Sequence, residues 1–157
     1  MKAPVTCLAM ALVIGSLGPL SASAEEKKDV LDDLKCFIMT KRTVKGKKVY
    51  DYKGAKLYLC CGACVSRMKR TPEKYEAKAN HQIVQTGQFT QKACPLSGDA
   101  VTDSSPSLKI GGVAVKFSKA EHKDKVAKLE ADKQLDTVFG KDGFKKGKFE
   151  PAKKEKK

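Results

Sequence analysis

Residues 56–68 read "KLYLCCGACVSRM" and set three thiols, Cys60, Cys61 and Cys64, where a short apolar run gives way to a basic helical pattern. Just before the thiols, "VYDYKGAKLYLC" at 49–60 alternates apolar and polar residues around Lys53-Gly54, which predicts a β-hairpin. After them, "CGACVSRMKR" at 61–70 places Val65 and Met68 three apart, on one face of a helix. In "TPEKYEAKA" at 71–79, Thr71 is the expected N-cap and Pro72 the first helical residue.

The same pattern returns further along. A shift of 58 residues lays Cys36 on Cys94, Gly54 on Gly112, Leu57 on Val115, Leu59 on Phe117, Met68 on Val126 and Arg70 on Lys128. Identity is low, but each copy reads as a cysteine near a turn, a hairpin and a helix, the signature of an internal repeat. In the second copy "LKIGGVAVKF" at 108–117 is the hairpin, with Gly111-Gly112 as a two-residue turn. The following "SKAEHKDKVAKLEADKQL" at 118–135 predicts one helix with Ser118 as N-cap and Ala120, Val126 and Leu129 as its apolar stripe. The thiols are not kept: Cys60 falls on Ser118, Cys61 on Lys119 and Cys64 on His122.

The N-terminus is expected to be a secretory leader. Met1-Lys2 is a positive start, residues 8–20 are mostly apolar, and Ala22-Ser23-Ala24 offers a small-x-small cleavage site. Gly15, Gly18 and Pro19 interrupt an apolar stretch already short for a membrane span. Cleavage after Ala24 shortens the 157 residues to 133 and, by removing Lys2, takes the net charge from +14 to +13. The expectation is therefore an exported, periplasmic or secreted chain with no transmembrane segment. At this length a hydrophobic core is marginal and a metal or disulfide is an expected helper. The positive charge, spread as Lys, draws such a chain to anionic surfaces. The leader, and the lack of aromatics among the basic residues, argue against nucleic-acid recognition.

With Cys7 in the leader, five cysteines remain, an odd number that does not suit a pure disulfide framework. Cys36, 23 intervening residues, then Cys60-x3-Cys64 brings a distant thiol to a strand–helix junction carrying two more, a spacing that suits a soft or borderline ion such as Zn(II) or Cu(I). The helix N-terminus favours thiolate there. Cys61 is the adjacent candidate for a fourth ligand and His81 a weaker one. Two other readings stay open: a disulfide from Cys36 to Cys60 or Cys64 stapling a small exported domain, and a redox dithiol at Cys61-Gly62-Ala63-Cys64. Neither histidine has a nucleophile motif around it, so no enzyme is expected.

The segments "CFIMT" at 36–40 and "DYKGAKLYLCCGACVSRMKRTPEKY" at 51–75 resemble the TRASH and YHS-like family of small heavy-metal-binding modules. That family's pattern is an early Cys (often Cys-Pro-x-[Ser/Thr]-Gly), a Tyr-x-Gly-x-x-Tyr hairpin, then Cys-x3-Cys and a basic helix ending in a Pro-Glu-Lys-Tyr-like segment. Tyr52 to Tyr58 matches the hairpin with one extra residue, and Pro72-Glu73-Lys74-Tyr75 matches the ending. Phe37-Ile38-Met39-Thr40 departs from the family opening, which the second copy carries as Cys94-Pro95-Leu96-Ser97-Gly98. The resemblance implies Cys36, Cys60 and Cys64 as metal ligands and a role in metal sensing, trafficking or resistance. The whole then reads as an α+β chain of two tandem hairpin-plus-helix modules. Its expected divisions are a leader at 1–24, an N-terminal segment at 25–34, a first module at 35–80, a linker at 81–92, a degenerate second module at 93–139, and a disordered Lys-rich tail at 140–157. The second module is expected to be a structural relic packed on the first, with Cys94 and His122 as weaker ligands.

Overall fold

The computed structural model describes residues 31, 33–44 and 48–152. The expected leader, the segment at 25–30 and the last five lysine-rich residues lie outside them. Mixed helices and three two-stranded antiparallel sheets make an α+β chain.

Strands β1 (Lys48–Tyr52) and β2 (Ala55–Leu59) form the first hairpin, in register from Lys48 opposite Leu59 to Tyr52 opposite Ala55. Lys53 and Gly54 both take positive φ, at 51° and 78°, the conformation a two-residue hairpin turn of matching twist requires. Alternation along β2 buries Ala55, Leu57 and Leu59 and leaves Lys56 outside. Helix α1 (Gly62–Arg70) buries Cys64 and Met68, four residues and about one turn apart. Thr71 closes α1 instead of opening the next helix, and Pro72 starts a 3-10 turn, Glu73–Tyr75, that runs into α2 (Glu76–Gln85).

After β3 (Phe89–Thr90) the sequence of elements repeats. Strands β4 (Ser107–Ile110) and β5 (Val113–Lys116) turn at Gly111-Gly112, with φ of 56° and 87°. Lys119 precedes α3 (Ala120–Ala127) with the same extended backbone as Cys61 before α1. The expected single helix at 118–135 is broken: α3 stops at Ala127, and α4 (Ala131–Phe139) begins after Glu130. The break falls where the first copy breaks at Thr71-Pro72. The Gln134 side-chain amide donates to the freed carbonyl of Leu129 at 2.9 Å. Ser118 does not cap; its hydroxyl turns to the His122 ring. Of the expected stripe Val126 is buried, while Ala120 is exposed.

The segment expected to link the copies is structured. Residues 81–85 complete α2, and three glutamines close open strand edges. The Gln82 amide accepts from Tyr58 N–H and donates to Tyr58 C=O, at 2.8 and 3.0 Å. Gln88 does the same for Lys56, at 2.7 and 2.8 Å. Gln91 does it for Lys116, the 58-residue counterpart of Tyr58, at 2.9 and 2.7 Å. A primary amide carries one donor and one acceptor side, so each serves as a one-residue strand on an edge that would otherwise be unpaired.

The expected disordered tail is ordered through residue 152. Helix α5 (Lys141–Lys146) and β6 (Glu150–Pro151) follow α4, and β6 pairs with β3. The cause is aromatic burial. Phe144 stacks on Phe149 at 4.8 Å between centroids, with Phe139 and Phe89 completing the cluster. Gly143 is required by contact and not by flexibility: a Cβ there would run into the carbonyls of Thr137 and Val138.

The two halves share one core, which runs from Leu34 to Phe149. Helices α2 and α4 meet across it. There the fully buried Asn80 donates to Phe139 C=O at 2.7 Å and accepts from Tyr52 Oη and Lys53 Nζ, both at 3.2 Å. No helix among the described residues is long and apolar enough to cross a membrane.

Candidate metal centre

Cys36 lies in a loop pinched by the bridge between Lys35 and Thr43, with Cys36 N–H donating to Arg42 C=O at 2.9 Å. Cys60 follows β2 directly, and Cys64 sits in the first turn of α1. The hairpin and helix therefore deliver two thiols to the place where the loop delivers the third. The Sγ atoms of Cys36, Cys60 and Cys64 all lie within 4.8 Å of one another, and Cys60 and Cys64 are 3.7 Å apart. Sulfurs bound at the usual zinc distance sit about 3.8 Å apart on a tetrahedron. The Cys60–Cys64 spacing matches that value, and Cys36, within 4.8 Å of both, is close enough to complete a three-thiol set. Cys36 and Cys64 are buried and Cys60 is half-buried, so the cluster sits at the core's rim.

Burial pushes the Cys36 thiol up, but the amides of Cys60, Met39 and Ile38 around its sulfur outweigh it and hold Cys36 below the usual thiol range. Burial raises Cys60, and the Cys36 thiol beside it adds to the effect. Burial also drives Cys64 strongly upward, reinforced by the sulfurs of Cys61 and Cys60. Without an ion, Cys60 and Cys64 are held toward the protonated form, and Cys36 is the thiol of the three most readily ionised. A divalent or soft cation bound there would supply the charge that lets all three deprotonate.

Cys61 stands beside this group and is not one of its three members. Its Sγ is 3.8 Å from Cys60 and 3.5 Å from Cys64. The amide and thiol of Cys64, then the neighbouring Cys60 thiol and Ala63 amide, hold its thiol below the usual range. His81 is elsewhere: its Nε2 lies 3.1 Å from Ile110 C=O, and its ring meets Phe139 edge-on at 5.0 Å. Burial lowers its pKa, and the ring works as a contact between the halves.

The structure brings the second copy's residues together too. Cys94 Sγ is 3.5 Å from His122 Nδ1, and Ser118 Oγ is 3.2 Å from the same nitrogen. Cys94 is buried, which raises its thiol, but the amides of Ser118, Ser97 and Leu96 and the Ser97 hydroxyl bring it down to about 6. Those three amides are the 58-residue counterparts of the ones facing Cys36: Ser118 for Cys60, Ser97 for Met39 and Leu96 for Ile38. Cys94 N–H donates to Asp99 C=O at 2.7 Å, so this loop is one residue tighter than its counterpart.

Asp99 was not read from the sequence, and Ser97 entered only as part of the Cys94-Pro95-Leu96-Ser97-Gly98 opening. Ser97 Oγ donates to Asp99 Oδ2 at 2.7 Å and lies 3.1 Å from Ser118 Oγ. The available signal was the Ser-Gly-Asp run after Cys94-Pro95-Leu96, whose Gly98 takes φ of 84°.

All five cysteines of the described residues are free thiols. The Cys61–Cys64 pair follows a two-stranded antiparallel hairpin and not the parallel βαβ frame of a thioredoxin-type dithiol. The chain matches no protein-family model, no curated protein and no solved structure.

Proposed function

We propose that this chain is an exported binding protein for a soft or borderline metal ion, Zn(II) or Cu(I), of the TRASH/YHS-like kind. Cys36, Cys60 and Cys64 are the ligands, and Cys61 is a neighbouring thiol able to take a fourth place. The observation that carries this reading is the convergence of three thiols from a loop, a strand end and a helix start, within 4.8 Å of one another at the core's edge. The cluster's job is holding, buffering or handing on the ion, with no bond in a substrate made or broken. Export rests on the leader pattern of the sequence, and the excess of lysine adds an attraction to anionic surfaces.

Anaerobic purification, reconstitution and elemental analysis test it. The unmutated protein should retain stoichiometric Zn or Cu, and Cys64→Ser should lose the ion bound at this cluster. Thiol titration separates the reading from a disulfide staple. A metal site yields free Cys36, Cys60 and Cys64 once a chelator removes the ion, whereas a staple yields them only after reductant.

A further inference from the structure

The second copy has exchanged two thiols for a serine and a histidine, yet the exchanged side chains still converge on the retained cysteine. Cys94 Sγ and His122 Nδ1 are 3.5 Å apart, and Ser118 Oγ is 3.2 Å from that nitrogen. Three donors of three chemistries thus still meet at one point. The loop around Cys94 has also kept the amide arrangement that the loop around Cys36 shows.

The distances match a metal polyhedron. On a tetrahedral zinc, a thiolate sulfur at about 2.3 Å and an imidazole nitrogen at about 2.0 Å lie roughly 3.5 Å apart, and a nitrogen and an oxygen roughly 3.4 Å apart. Both observed separations fall within a few tenths of an ångström of these values.

Proton placement accommodates the same use once an ion takes the place of the proton that His122 Nδ1 otherwise donates to Ser118. Ser97 gives its proton to Asp99, so Ser118 can donate to Ser97 and turn a lone pair toward His122. Asp99 thus orients Ser118 through Ser97, as carboxylates orient the groups that hold metals. His122 needs only the tautomer with its proton on Nε2 to present Nδ1 as a donor.

We propose that Cys94, His122 and Ser118 form a second metal site, distinct in chemistry from the three-thiol cluster. Its single sulfur, imidazole and hydroxyl suit a divalent borderline cation of the zinc type and not Cu(I), which thiolate-rich sites select. Three protein donors are also the set with which zinc keeps one position for an outside ligand. The second copy is then a more labile, exchange-competent site beside a tighter one. This inference stands apart from the reading of Cys36, Cys60 and Cys64, and either site can exist without the other.

The test uses the full chain after leader removal, loaded anaerobically with Zn(II) alone or with Co(II) alone as a spectroscopic probe. The variants are His122→Gln, Cys94→Ser and Cys64→Ser, each checked for folding by circular dichroism. The expected result is two Zn per unmutated chain and one each for His122→Gln and Cys64→Ser. Co(II) in Cys64→Ser should give tetrahedral ligand-field bands with charge transfer from one sulfur, lost when Cys94→Ser or His122→Gln is added. His122 is only half-buried, so His122→Gln keeps the test usable if Cys94→Ser fails to fold. The proposal is overturned if His122→Gln holds as many ions as the unmutated chain, or if a single ion is lost in Cys64→Ser and kept in His122→Gln. A single ion lost in His122→Gln and kept in Cys64→Ser upholds this site and removes the three-thiol one.

Discussion

Asn80 Nδ2 donates to the carbonyl oxygen of Phe139 at 2.7 Å, 59 positions further along the chain. The bond runs from the last helix of the first copy to the last helix of the second, and neither group has water to fall back on. Replacing Asn80 by Ala removes the donor to the Phe139 carbonyl and the acceptor of Tyr52, and leaves Lys53 with Glu76 as its acceptor. Losing a buried partner in this way costs about 1–3 kcal/mol. Denaturant unfolding should show a lower midpoint and one cooperative transition. Two separate transitions would mean that the halves fold independently of this contact.

Cys61 is the thiol whose role the geometry separates from its neighbours. Cys61→Ser should keep the ion at Cys36, Cys60 and Cys64 with a modest loss of affinity, while Cys60→Ser or Cys64→Ser should weaken it by well over about tenfold. Competition with a chelating dye under anaerobic conditions measures both. Because Cys60 and Cys64 are held protonated by burial and by neighbouring thiols, loading in weak buffer at pH 7 should acidify the solution, and occupancy should fall as the pH is lowered. Equal weakening by all three substitutions would show that the four thiols act as one set.

His81 gives the fold an acid-sensitive contact. Burial against Phe139 lowers its pKa from 6.5, so the folded chain takes up its proton less readily than the unfolded one. The stability this lends is full above pH 6.5 and is lost as the pH falls toward the depressed folded value. The denaturation midpoint should therefore drop between pH 7.5 and 5, with a smaller drop in His81→Gln. An unchanged slope in that variant would assign the acid sensitivity to other groups.

Phe144 anchors the segment that its lysine-rich sequence makes look unstructured. Its ring lies between Phe89 and Phe149, and Lys53 Nζ sits 5.0 Å from its centroid. Phe144→Ala should destabilise the chain by about 3 kcal/mol, the lower end for a buried aromatic. Amide exchange in β3 and β6 should accelerate with it. Near-unchanged stability would mean that the aromatic cluster contributes little.

The hairpins were legible because period-two alternation and a Lys-Gly or Gly-Gly turn are local signals, and both turns use the positive φ those pairs allow. Three thiols of the first cluster were legible because their spacing places them at a loop, a strand end and a helix start. What could not be read locally depends on partners far along the chain. Phe139, Phe144 and Phe149 recur every five residues, a spacing that matches neither helix nor strand, and only the return to Phe89 explains them. His81 looks like a surface residue until Ile110 and Phe139 are placed on it. Gln82, Gln88 and Gln91 read as a polar linker, because an amide that imitates a strand leaves no mark in hydropathy. The helix break at Leu129-Glu130 carries no Gly or Pro to announce it.

The pairing of β3 with β6 sets an order of assembly. Phe89 and Thr90 lie between the two copies, but their partners are Pro151 and Glu150, and Ala152 N–H closes the ladder on Gln88 C=O at 2.9 Å. The Gly147 carbonyl meanwhile accepts from Lys92 and Ala93, immediately before Cys94. During synthesis the loop that carries Cys94 lacks its final support until residues near 150 have emerged. The first cluster draws its thiols from Cys36 to Cys64 and its strand-edge support from Gln82 and Gln88, all of which precede that segment, so the elements that build the two groups are completed at different times.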